Sequence, residues 1–240
     1  MEQLRNKTVA QMVTENIKTA HIFKKYGIDF CCGGGESIEK ACNRRSLDLN
    51  LLEQELLASN TSNERNYDYK NWELPFLVDH IVNVHHHYVE ENIPLLLQYC
   101  ERVTKVHGST HLEVKEIENL FHQVAGELAA HLKKEELILF PFIKKLVKAA
   151  EEGSPLERPS FGSAENPVKM MEDEHERAGA IFRKIADLSN NYTPPEGACN
   201  TFKAMYAKLN EFEQDLHLHI HLENNILFPK ALKLEEKVMA

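Results

Sequence analysis

No apolar run in this sequence is long enough to cross a bilayer. The longest, around Leu137 to Ile143, is about seven residues, against the roughly 20 that a membrane helix needs. The amino-terminal stretch MEQLRNKTVAQMVTENIK has no apolar core, so no secretory signal is expected. Positive charge is also short. Lys and Arg number 28 against 37 Asp and Glu, a formal net charge of −9. That balance argues against nucleic acid or an anionic membrane surface as the main partner. Glycine is scarce, 10 in 240 residues, and β-branched alternation is rare, which counts against a sheet. The five cysteines (Cys31, Cys32, Cys42, Cys100 and Cys199) are odd in number and lack the spacing of a disulfide framework. Free thiols in a reducing, cytoplasmic setting are expected.

Hydrophobic residues, at 42%, suffice for a buried core. Long stretches of 3.6-residue periodicity predict an all-α protein. The polar run 59–71 reads as a linker between a small helical unit, 1–58, and a larger one, 72–240. In the larger unit four helices are predicted, over 74–106, 111–151, 166–190 and 197–235. They are separated by HGST, EEGSPLERPSFGSAENP and NNYTPPEGACN. Pro94 should kink or interrupt the first. Helices of that length with such connections suggest an antiparallel four-helix bundle.

The unusual abundance is histidine, 13 residues in clusters. HLKKEELILFP (131–141) and HIHLENNILFP (219–229) repeat one pattern at a constant offset of 88, with His131, Glu135 and Pro141 matched by His219, Glu223 and Pro229. Steps of three and four place both His/Glu pairs in apolar seams. One seam runs Val124, Leu128, His131, Glu135, Ile138, Phe142, and the other Phe212, Leu216, His219, Glu223, Ile226. His175 has a seam of its own, with Val168, Met171, Ala178, Phe182 and Ile185. His217 and His221 share a face with Asn210, Glu213 and Asn224 and are expected in solvent.

Burying a carboxylate among leucines costs several kcal/mol unless it is compensated. For two carboxylates and several imidazoles converging in a bundle, the cheapest compensation is metal. Glu135 and Glu223 could each bridge two cations, and a nitrogen-rich, carboxylate-bridged pair points to iron. A single buried His/Glu pair is more often a structural hydrogen bond; duplication in matching seams turns the balance toward metal. Only Glu172 with His175 has the Glu-x-x-His spacing of ferritin-like sites. For the remaining helix, VHHHY offers His85, His86 and His87, and stripe and spacing do not choose among them.

YGIDFCCGG, HLKKEELILFP, EDEHERAG and HIHLENNILFP, in that order, resemble the RIC (repair of iron centres) family, in which a hemerythrin-like di-iron bundle follows a Cys-Cys domain. The resemblance covers nearly the whole chain. It implies His86, His131, His175 and His219 as ligands and Glu135 and Glu223 as bridging carboxylates around two non-haem iron ions. Its first histidine lies seven residues after an Asp and eight before a Pro, and Asp79 and Pro94 then select His86. The implied role is repair of iron–sulfur clusters damaged by nitric oxide or oxidants, through donation of labile iron. The implied partners are damaged iron–sulfur proteins and a second copy of the chain in a homodimer.

The amino-terminal unit reads as short helices over 8–26, 37–42 and 47–58. Cys31 and Cys32, beside three glycines and near an expected helix start, should have lowered thiol pKa values and accessible thiolates. Iron transfer or redox chemistry is their functional reading; two half-buried cysteines at a tight turn is the plain one. Cys42, Cys100 and Cys199 read as packing residues. Glu174, next to His175, could assist proton or metal entry, or simply be solvated. Besides repair, the competing functions are nitric oxide reduction or peroxide turnover at the iron pair, binding of a diatomic gas, and a metal-free bundle. Whether the chain is an enzyme is left open by the residues.

Overall fold

The computed structural model describes residues 2–59 and 67–239, so most of the expected linker, 60–66, lies outside the described residues. The amino-terminal unit consists of α1 (Glu2–Asn6), α2 (Val9–Glu15), α3 (Thr19–Lys25), α4 (Ile38–Arg45) and α5 (Leu49–Ser59). Thr8 and Gln11 form a reciprocal capping box at the start of α2. The single helix expected over 8–26 is two, because Asn16 adopts an extended conformation and closes α2. Its side-chain oxygen accepts from the amide of Lys18, the local competition that makes asparagine a helix terminator. Ser37 caps α4.

The larger unit is built from α6 (Leu74–His80) and α7 (His87–His107), α8 (Glu113–Lys134) and α9 (Phe140–Glu152), α10 (Glu165–Leu188), and α11 (Asn200–Leu222) and α12 (Phe228–Met239). Three wider π-helical turns, Ile81–His86, Glu135–Leu139 and Glu223–Leu227, join the paired segments into continuous rods. The expected four helices are therefore present with ends shifted by up to four residues. Helix α7 packs on α8 and α11, α8 on α10, and α9 on α12. Pro94 lies inside α7 without breaking it; the departure from α geometry comes earlier, at Ile81–His86.

Two of the π turns arise from the repeated Ile-Leu-Phe-Pro. Pro141 and Pro229 lack an amide hydrogen and their rings crowd the carbonyls four residues back. The chain widens instead, and the amides of Phe140 and Phe228 donate five residues back, to the carbonyls of Glu135 and Glu223. Such turns often mark functional sites. Here each begins at a seam glutamate. The extra residue also rotates the next segment of each rod. Ile138, expected in the seam, is 49% exposed and Leu137 is 73% exposed, while Leu139, Phe140 and Ile143 are buried.

The apolar core falls into two large clusters. One contains Val124, Leu128, Phe182, Phe212 and Leu216, with Phe121, Phe182 and Phe212 in mutual ring contact. The other contains Leu77, Ile81, Leu139, Phe140, Met171, Leu227 and Phe228. Along α8 and α11 the His/Glu pairs sit at the boundary between them. The first cluster continues into the amino-terminal unit through Val9, Phe23, Phe30 and Leu52. Lys24 of α3 meets Glu213 of α11 at 2.7 Å. His221, expected in solvent, is fully buried and Glu213 nearly so. The amino-terminal unit covers that face: Phe30 packs edge-on against His221, and Thr14 lies 3.3 Å from its ring.

Candidate metal centre

Six side chains from four helical rods meet between the two core clusters. His86, Glu135, His219 and Glu223 each bring one ligand atom within 4.8 Å of the others, and so do His131, Glu135, His175 and Glu223. All six residues are buried. Glu135 Oε2 lies 3.4 Å from Nε2 of His86 and of His131. Glu223 lies 3.3 Å from Nε2 of His175 and 3.1 Å from that of His219. The two groups share both glutamates, the arrangement of two cations bridged by carboxylates. Of the three adjacent histidines on the first rod, His86 joins the group. His85 turns its Nδ1 to Asp215, 2.9 Å away, and His87 is exposed.

The donors fit a metal better than they fit one another. Both oxygens of Glu135, Oε2 of Glu223 and Nε2 of His86 are buried without a hydrogen-bond partner. Nε2 of His131 and Nε2 of His175 face each other at 3.0 Å. Left alone, two buried carboxylates cost several kcal/mol each. Burial and the neighbouring Glu135 push the Glu223 carboxyl well above the ordinary range. Burial opposes ionisation of Glu135 too, but the surrounding His131 and His86 hold it below that range. Burial lowers His175 to about 4 and His219 well below its ordinary value. These two imidazoles are therefore neutral at physiological pH, the state in which they bind metal.

A ring of outer groups aims three of these histidines. Glu136 accepts from Nδ1 of His86 at 2.9 Å, Glu174 from Nδ1 of His131 at 2.8 Å, and Asn224 from Nδ1 of His175 at 2.8 Å. Each leaves Nε2 as the free lone pair directed inward. Lys133 and Lys134 in turn bond Glu136 and Glu174. Glu174 is thus tied to a histidine rather than solvated. The sequence reading missed Glu136 and Asn224, although each directly follows a seam glutamate and the two stand 88 residues apart.

Cys31 and Cys32 form a separate group with Asp29. Their sulfurs are 3.8 Å apart, and Oδ1 of Asp29 accepts from both backbone amides at 3.0 Å and from the Cys31 thiol at 3.3 Å. The expected thiolate is corrected for Cys31. Its thiol is buried, and the adjoining Cys32, burial and the Asp29 charge all push it well above its usual value. Helix α4 begins only at Ile38, with Ser37 as its cap, and not at the cysteines. Asn225, two residues after Glu223, donates to the Cys31 carbonyl at 3.0 Å and fastens this loop to the π turn of the centre. The loop passes so close to α2 that a Cβ at Gly34 would stand 2.5 Å from the Phe30 carbonyl and 2.8 Å from Ala10. Cys31 opens on a cleft between the two units, also lined by Tyr88, Arg183, Asp215 and His217. Cys42 and Cys100 are packed in the core as expected, but Cys199 is exposed, 3.2 Å from Nε2 of His107. It occupies the cap position before α11, where the chain enters the helix from a surface loop.

Residues 77–231 match the family described as the hemerythrin HHE cation binding domain, and residues 5–60 match ScdA_N, a domain of unknown function. The chain is 35% identical over 232 residues to the iron-sulfur cluster repair protein YtfE of Yersinia pseudotuberculosis serotype IB (strain PB1/+), covering 96% of this chain and 99% of that one. Identity and coverage are the same for the YtfE protein of Yersinia pestis (strain Pestoides F). Among the described residues, no helix is long and apolar enough to cross a membrane.

Proposed function

This chain belongs to the hemerythrin HHE cation-binding family and, over nearly its whole length, to the family of the iron-sulfur cluster repair proteins, and on that premise we propose that it repairs damaged iron–sulfur clusters by donating iron. The ligands are His86, His131, His175 and His219, with Glu135 and Glu223 shared between two iron positions. The observation that carries this reading is the set of buried, unpartnered donor atoms on Glu135, Glu223 and His86. Among the described residues, the groups that approach these carboxylates are the candidate ligand histidines themselves, at 3.1–3.4 Å.

When bound, the iron pair supplies the cargo: ions held by exchangeable nitrogen and oxygen donors rather than by a macrocycle or thiolates. The protein's own groups do the rest. Glu136, Glu174 and Asn224 hold the rings in one tautomer. The apolar clusters on either side keep water from the donors. Asp29, Cys31 and Cys32, fastened to the Glu223 turn by Asn225, are the transfer group for outgoing iron, with the Cys31 proton released as the ion binds. The clients are damaged iron–sulfur proteins in the cytoplasm, where five free thiols persist. The working form is a homodimer, for which Leu137 and Ile138 supply exposed apolar surface; sedimentation velocity measures it.

The test compares iron-loaded and metal-free protein in restoring a cluster-depleted [4Fe–4S] enzyme, with Glu135→Ala/Glu223→Ala alongside. Loaded protein should restore activity while losing iron of its own, and the double variant should carry little iron and restore nothing. Equal restoration by metal-free protein, or iron that a mild chelator does not strip, contradicts the proposal.

A further inference from the structure

The internal repeat relates the histidines of the centre in pairs, and it relates their orienting groups too. Glu136 on His86 is matched 88 residues on by Asn224 on His175. Glu174, the residue before His175, reaches Nδ1 of His131. By role, its counterpart is the residue before the ligand His86, which is His85; this pair stands 89 residues apart, one more than the repeat of the His/Glu segments. His85 does lie beside His219, but the two rings are stacked, 8° from parallel with centroids 5.5 Å apart, and no hydrogen bond joins them. Nδ1 of His219 and Nε2 of His85 are both buried and both without a partner. The engaged nitrogen of His85, Nδ1, meets Asp215 at 2.9 Å. On this side the carboxylate therefore stands one ring further out than Glu174 does on the other.

An acceptor on Nδ1 fixes a ligand histidine's tautomer and orientation and makes Nε2 the better donor. His131 and His175, which serve one metal position, both have such an acceptor. Of His86 and His219, which serve the other, only His86 does. We infer that the two positions are unequal: the His86–His219 position binds its cation more weakly and releases it first, and His85 is the positioning residue that makes it so. This rests on the iron-donor reading and deepens it, naming the half of the centre that yields its cargo. The stronger half keeps Glu135 and Glu223 anchored meanwhile.

The test tracks iron retained by the intact loaded chain in a weak chelator, with the Mössbauer spectrum recorded at half-loading. Wild type should lose iron in two steps of equal amplitude. Their apparent affinities should differ by about 10–100-fold, the range expected on loss of a ligand histidine's partner. His85→Gln offers His219 an amide oxygen, as Asn224 offers one to His175, and should slow the first step toward the second. Glu174→Ala should quicken the second step until the two merge. Because Glu174 lies at the edge of the centre, this variant decides the matter even if replacement of the buried His85 disturbs folding. His219→Ala should lose the first step and retain one iron. Single-step loss from wild type overturns the inference, as does a fast step that survives in His219→Ala or that Glu174→Ala quickens in place of the slow one. Single-step loss would leave iron donation standing. Equal repair by metal-free protein would sink donation and leave the two-step release untouched.

Discussion

Replacing Glu223 by glutamine should make the metal-free protein more stable and the iron-loaded protein less stable. Glu223 is fully buried; its Oε1 meets His219 Nε2 at 3.1 Å, and its Oε2 makes no hydrogen bond although His175 Nε2 stands 3.3 Å away. The amide keeps the shape and the contact with His219, offers its NH2 to Nε2 of His175 3.3 Å away, and removes the charge. Relief of an unsatisfied buried group amounts to about 1–3 kcal/mol. For a domain of this size each kcal/mol shifts the melting temperature by about 2–4 °C, so metal-free Glu223→Gln should melt about 2–12 °C above metal-free wild type at neutral pH. The gap should depend on pH in a definite sense. Burial and Glu135 raise the folded-state pKa of Glu223 above its ordinary 4.5. Its stabilising contribution is complete below 4.5 and is lost as pH rises toward the raised value. The variant's advantage should therefore grow as pH increases from 4.5. His175, lowered to about 4, acts in the opposite sense, gaining stability between pH 4 and 6.5, so the comparison is read above pH 6.5, where this gain is complete. With iron bound the order reverses, because the variant has lost a bridging ligand. Calorimetry of both forms from pH 6.5 to 8 measures this. A metal-free variant that melts below metal-free wild type would refute the view that the carboxylate is uncompensated without metal.

The same geometry sets other outcomes. Pro229→Ala allows the π turn at Glu223–Leu227 to revert to an α turn and rotates Glu223, so iron affinity measured by chelator competition should fall about 10–100-fold while helix content holds. Gly34→Ala drives a Cβ against the Phe30 carbonyl and Ala10 and should destabilise by about 1–3 kcal/mol. Limited proteolysis should then cut first in the amino-terminal unit. His221→Ala removes a buried ring that packs on Phe30 and touches Thr14, with a cost of about 1–3 kcal/mol. The same unit should lose protection in hydrogen exchange while the iron spectrum is unchanged.

What the sequence disclosed, and what it hid, has a physical pattern. Helix periodicity and the 88-residue offset expose anything that repeats, and so the four rods and the seam residues His131, Glu135, His175, His219 and Glu223 were readable. His86 needed the family resemblance, because three consecutive histidines share one turn and periodicity does not separate them. The exposure of Leu137 and Ile138 was hidden because an ideal helix has no place for a π turn; Pro141 and Pro229 were the available signal. His221 was misplaced because the face opposite the seam was taken as solvated, whereas a second unit covers it. For Cys31 the motif spoke of thiolates, but the adjoining Cys32 thiol and burial, with the charge of Asp29 two residues before it, push the thiol up instead. Glu136 and Asn224 act across helices, on His86 and His175, and such contacts leave no trace in one helix's periodicity.

The most direct measurement is an anomalous-difference map at the iron absorption edge from crystals of the protein as purified. Two peaks are predicted, one between His131 and His175 and one between His86 and His219, with Glu135 and Glu223 reaching both. Iron confined to Asp29, Cys31 and Cys32, or no peak among the six buried side chains, would contradict it.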